Sequence, residues 1–104
     1  MAAAVERRIF SVTDYHRMAE VSILTEDDRV ELIEGRIIVA GPIGSRHAAC
    51  VKRLNTLLNR LAIHDVLVSI QDPIQLNDNS EPEPDVALLR LRDDFYATSH
   101  PNEG

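Results

Sequence analysis

The residues best suited to chemistry lie in a short acidic stretch, Ser80 to Val86, where Glu81, Glu83 and Asp85 alternate with Pro82 and Pro84. Proline fixes its own φ and pushes the preceding residue towards extended backbone, so this stretch is stiff. It leads directly into the largely apolar run Val86 to Leu91. Asp85 is therefore expected at the start of a buried strand, where an unpaired carboxylate is costly. A divalent cation is one of the few good partners for such a group. Glu81 and Glu83 read instead as a solvated acidic loop.

Two further residues invite a chemical reading beside an ordinary one. Glu31 lies between Val30 and Leu32 in an alternating pattern, so it points to the opposite face of a strand. The ordinary reading is a solvent-facing residue paired with Arg29 or Arg36 across a hairpin. His47 falls at the first turn of a long helical pattern, in register with Cys50, Val51 and Leu54. A half-buried, hydrogen-bonded histidine is the ordinary explanation there. His16 and His64 read as solvent-facing helix residues, and the four histidines form no ligand pair recognisable from spacing. Phosphate-cradling glycine loops, a Gly-x-Ser-x-Gly elbow and Cys/His zinc spacings are all missing.

The elements that must position these residues follow from periodicity. Ser11 precedes an apolar pattern with Asp14 three residues on, the capping-box arrangement, which predicts a helix from about Val12 to Val21. Val12, Tyr15, Met18 and Ala19 share one face of it. Two β-branched runs flank Glu34-Gly35, which predicts a β-hairpin across Arg29 to Ala40. Ser45 is placed to cap the strongest helix, Arg46 to about Ile63, where Cys50, Val51, Leu54, Leu57, Leu58 and Leu61 recur every three or four residues. Strands are expected at Val66 to Ile70, Ile74 to Leu76 and Asp85 to Leu91, with a break near Asp72-Pro73. Residues 1 to 8 read as a flexible lead-in and 9 to 104 as a single domain. Helices packed on a sheet give an α/β (α+β) class.

Composition narrows the setting. A chain of 104 residues, 44% hydrophobic and 27% charged, supports one modest globular core, and with aromatics at 4% that core must be aliphatic. A net charge of −6 argues against nucleic-acid binding by bulk electrostatics, which needs clustered Lys and Arg. It does not argue against a metal-dependent nuclease, whose carboxylates are partly neutralised by the cation. A single cysteine, Cys50, fits a reducing, cytoplasmic setting, and neither a signal peptide nor a membrane span is legible.

Four pieces in order then carry a resemblance: Arg29-Val-Glu-Leu-Ile-Glu-Gly35, Pro42-Ile-Gly-Ser-Arg-His47, Gln71-Asp-Pro-Ile74 and Ser80-Glu-Pro-Glu-Pro-Asp-Val86. Together they resemble the Uma-type family, over Ile9 to Pro101, a family placed in the restriction-endonuclease-like superfamily. The resemblance implies a mixed sheet flanked by helices and metal-dependent phosphodiester hydrolysis of nucleic acid. In that scheme carboxylates hold Mg²⁺ or Mn²⁺, which activates water, while a Lys assists. The superfamily signature is a Pro-Asp followed by an (Asp/Glu)-x-Lys. Pro84-Asp85 matches the Pro-Asp, so Asp85 is the implied catalytic metal ligand. Glu31 matches an acidic family position and is the implied second ligand. His47 matches a family histidine of unassigned role.

Two departures from the family matter. Ser22 stands where relatives often carry Gly. More seriously, the acid and the Lys that follow the region of His100-Pro101 in the family have no counterpart here. The expectation is an incomplete nuclease-like domain, with little activity alone, that self-associates or takes the remainder of its site from a partner chain. The competing expectations are a non-catalytic interaction module on the same scaffold and a gene remnant, which downstream coding sequence would separate.

Overall fold

A computed structural model describes residues 6–61 and 65–102. The chain is α+β: helix α1 (Val12–Glu20), hairpin strands β1 (Val30–Ile33) and β2 (Arg36–Val39), helix α2 (Ser45–Leu61), then β3 (Val66–Ile70) and β4 (Val86–Arg90). The capping box forms as expected: Asp14 N donates to Ser11 Oγ and Ser11 N donates to the Asp14 carboxylate, each at 3.0 Å. These bonds hold the Asp14 carboxyl below its ordinary range. Beyond α1, Ser22 takes a left-handed φ of 64°, a conformation that glycine adopts without strain.

Each hairpin strand has four residues, paired antiparallel from Val30↔Val39 to Ile33↔Arg36. Glu34 and Gly35 both have positive φ, 48° and 77°, which is the geometry of a tight primed turn. The second ladder pairs β3 with β4, also antiparallel, from Val66↔Arg90 to Ile70↔Val86. The strands thus form two antiparallel pairs, and the acidic stretch joins the first pair through a bridge between Leu32 and Glu81. The strand expected at Ile74 to Leu76 is not formed. That segment makes single bridges instead, Gln75 to Asn102 and Asn77 to Ser80, because Gln71 turns left-handed at φ 53° and Pro73 offers no donor.

Helix α2 packs on the β3–β4 pair. It begins at Ser45, so that residue opens the helix rather than capping it. Val51 is buried on its inner side, whereas Leu54, Leu57 and Leu61 of the same apolar stripe stay exposed. Among the described residues, the buried hydrophobic ones are Val12 on α1, Leu32 on β1 and Val51 on α2. Ile63 and His64, along with residues 1 to 5 of the expected lead-in, lie outside the described residues.

Candidate active site

α1, β1 and the acidic stretch enclose a cleft of ≈ 1140 Å³ lined by Tyr15, His16, Glu31, Glu81, Glu83, Asp85 and His100, among others. The period-2 spacing of an extended chain carries Glu81, Glu83 and Asp85 to this one cleft. The stretch is held in place by backbone pairing on both sides. Glu81 N donates to Leu32 O at 2.7 Å, Ile74 N donates to Pro82 O at 2.9 Å, and Gln71 N donates to Asp85 O at 3.1 Å. Glu31, on the cleft side of β1, accepts the Glu83 backbone N–H at 2.7 Å. It therefore bonds to the acidic stretch rather than to Arg29 or Arg36.

Asp85 is not buried. Its side chain is 55% exposed, because the β3–β4 ladder stops at Ile70↔Val86 and leaves Asp85 one residue outside it, on the open cleft. It is not unaccompanied there. His47, from the first turn of α2, places Nε2 3.2 Å from Asp85 Oδ1. The three residues singled out from sequence thus divide into a contacting pair, Asp85 with His47, and Glu31, which shares the cleft lining with Asp85.

The buried carboxylate is Glu81, not Asp85. Glu81 is 2% exposed, and His16 Nε2 lies 2.8 and 2.9 Å from its two carboxylate oxygens. The solvated reading of Glu81 is overturned, whereas His16 keeps a side chain 45% exposed and adds to its solvent-facing position a contact with Glu81. One signal for His16 was in the sequence: it lies four residues after Val12, on the same helical stripe as the buried face. Among the described residues, the three-residue group whose ligand atoms converge within 4.8 Å is His16, Glu81 and His100.

The cleft is electrostatically negative. Tyr15, whose hydroxyl donates to Val30 O at 3.2 Å, has its pKa pushed up to about 12, first by burial and then by Glu83, Glu81 and Glu31. Glu83 is raised by desolvation and by Glu31, Asp72 and Glu81, against the pull of Arg29. Both groups favour their protonated form in the folded state. The stability they add is complete below their unfolded pKa values and is lost as pH rises through the raised ones. For Tyr15 that window runs from about 10 to about 12. Absorbance titration of the phenolate should show Tyr15 ionising near 12, with Glu83→Gln lowering that midpoint only in part, since burial is the larger cause. A Tyr15 midpoint near 10 would show that the phenol is neither buried nor faced by the carboxylates.

No helix of the described residues is long and apolar enough to cross a membrane. No curated protein and no solved structure matches the chain. A family model does match, over residues 12–103, and its description is "Uma2: Putative restriction endonuclease". With nearly the whole sequence covered, the chain belongs to the Uma2 restriction-endonuclease family.

Proposed function

We propose that the cleft is the carboxylate half of a metal-dependent endonuclease site acting on phosphodiesters of nucleic acid. Asp85 and Glu31 are the metal ligands, Mg²⁺ or Mn²⁺ is the cation, and His47 orients the Asp85 carboxylate. The observation that carries this reading is the shared cleft: Glu31, Glu83 and Asp85 line it from two segments that lie within the family match. The donor set is all oxygen, which suits hard cations of this kind. Above its raised pKa, Glu83 carries its charge at a cost, and a cation in the cleft would offset that cost. When bound, the cation would lower the pKa of a water and polarise a phosphoryl oxygen.

The site is half a site in these residues. The sequence has one lysine, Lys52, preceded by Cys50-Val51, so it contains no (Asp/Glu)-x-Lys element. A polypeptide of these 104 residues should cleave plasmid DNA or RNA no faster than background, and Mg²⁺-dependent cleavage that disappears in Asp85→Ala would show that the carboxylates suffice. The direct test is Mn²⁺ binding followed by electron paramagnetic resonance. Asp85→Ala should weaken it at least about tenfold, or about 1.4 kcal/mol. Unchanged Mn²⁺ affinity in Asp85→Ala would remove the basis for the reading.

The same reading extends to association. Among the described residues no strand pairs with the far edge of β4, and Leu88 on β4 is exposed, as are Leu54, Leu57 and Leu61 on α2. Open strand edges and apolar faces favour pairing with another chain. Light scattering at micromolar concentration should give a mass above the monomer, and a clean monomer would count against self-association. With Cys50 a free thiol, a reducing, cytoplasmic location fits.

A further inference from the structure

We propose that His16, Glu81 and His100 form a second cation site, for a borderline transition metal of the Zn²⁺ class, with a ligand set separate from that of Asp85 and Glu31. Three features support it. The donor atoms converge: each residue brings one ligand atom, all within 4.8 Å of one another. The donor type is selective, because two imidazoles with one carboxylate suit Zn²⁺, Co²⁺ or Ni²⁺, whereas Mg²⁺ takes oxygen ligands. The backbone under each ligand is fixed before any metal arrives.

That last point rests on bonds in the surrounding structure. Glu81 is tied to Leu32 by two backbone hydrogen bonds. α1, which carries His16, is anchored by Val12 N donating to Asp78 O at 2.6 Å and by the Tyr15 hydroxyl on Val30 O. His100 precedes Pro101, which is buried and whose carbonyl accepts Gln75 N–H at 2.8 Å. The His16 and His100 rings already lie with their centroids 6.2 Å apart. Ligand atoms at zinc bond lengths of about 2.0–2.1 Å in tetrahedral geometry lie about 3.4 Å apart. The His16–Glu81 contact therefore has to open slightly and His100 has to close in, movements that half-exposed and exposed rings allow. Two imidazoles and one carboxylate leave one coordination position open to solvent. A cation held there would staple α1, the acidic stretch and the segment at His100 to one another.

The test uses the whole chain with Cys50→Ser, which removes the exposed thiol as a competing ligand. The protein is stripped with chelator, then titrated with Zn²⁺ by calorimetry and with Co²⁺ by absorption, in excess Mg²⁺. The expected result is one equivalent of Zn²⁺ that Mg²⁺ does not displace, together with tetrahedral Co²⁺ bands. His16→Gln and His100→Gln should each weaken binding by at least the roughly 10–100-fold that loss of a mere outer-sphere partner causes. Circular dichroism on each variant confirms that it is folded, which the exposure of both rings favours. No binding at micromolar Zn²⁺, or parental affinity in both histidine variants, overturns the proposal. Because Mn²⁺ binding at Asp85 is read separately, failure of one site leaves the other standing or falling on its own measurement.

Discussion

Leu32→Ala is expected to destabilise the fold by about 2–5 kcal/mol, the range for large-to-small changes at fully buried sites. Leu32 has 0% of its surface exposed and is the largest side chain in the described residues to be so completely enclosed. Few other aliphatic side chains share the burden: Val12 and Val51 are the remaining buried hydrophobic residues described. A domain of this size has about 5–15 kcal/mol of stability in total, and a small core belongs towards the lower end. Urea unfolding followed by circular dichroism should therefore show the midpoint falling by roughly 1–3 M at an m-value typical of small proteins. Val39→Ala, on the same hairpin but 77% exposed, should stay within about 0.5 kcal/mol of the parent. If Leu32→Ala cost less than Val39→Ala, the hairpin would not be packed as described.

The consequence of that substitution reaches the cleft. Leu32 is bonded through its backbone to Glu81 in both directions, and its neighbour Glu31 accepts the N–H of Glu83. Loosening β1 therefore releases both acids of the 81–83 segment together. Packing under Leu32 and placement of carboxylates are one structural problem, because the acidic stretch is held to β1 edge by edge rather than by a scaffold of its own.

Elements with a strong local signal were legible in the sequence. The Ser11–Asp14 box fixed where α1 begins, Glu34-Gly35 fixed the hairpin turn, and the three-four repeat of Cys50 to Leu61 fixed α2. The sharing of one cleft by Asp85 and Glu31, and the contact of Asp85 with His47, also follow the residues picked from sequence. What was misjudged was burial. Asp85 was assigned an interior place and Glu81 a solvated one, and the opposite holds. Local pattern cannot decide this, since Glu81, Glu83 and Asp85 recur every second residue and each adjoins a proline. The difference comes from which residue lies against Leu32, a contact across 49 positions of sequence. His16 was missed for the same reason, because its partner is 65 residues away.

Gly35→Ala tests whether the turn, rather than the strands, sets the position of Glu31. At φ 77° an L-residue pays about 1–2 kcal/mol for the left-handed conformation. A Cβ there would also run into the side chain of Ile9 and come within 3.3 Å of its Cα. The turn cannot simply back away, since Gly35 N donates to Asn79 O at 2.7 Å, Phe10 N donates to Gly35 O at 2.9 Å, and Glu34 N donates to Ser80 Oγ. Ile9 is exposed, so truncating it to alanine should remove the Cγ2 clash and leave the approaches of its Cβ and Cα. In a double-mutant cycle, Gly35→Ala should therefore cost less in an Ile9→Ala background than alone, with a coupling of about 0.5–3 kcal/mol. A coupling near zero would mean that the left-handed backbone, and not Ile9, accounts for the whole cost. The functional readout comes from register. A one-residue slip in a strand turns every side chain to the opposite face, so a turn that rearranges would carry Glu31 out of the cleft. Mn²⁺ affinity should then fall in Gly35→Ala even under conditions where circular dichroism shows the chain still folded.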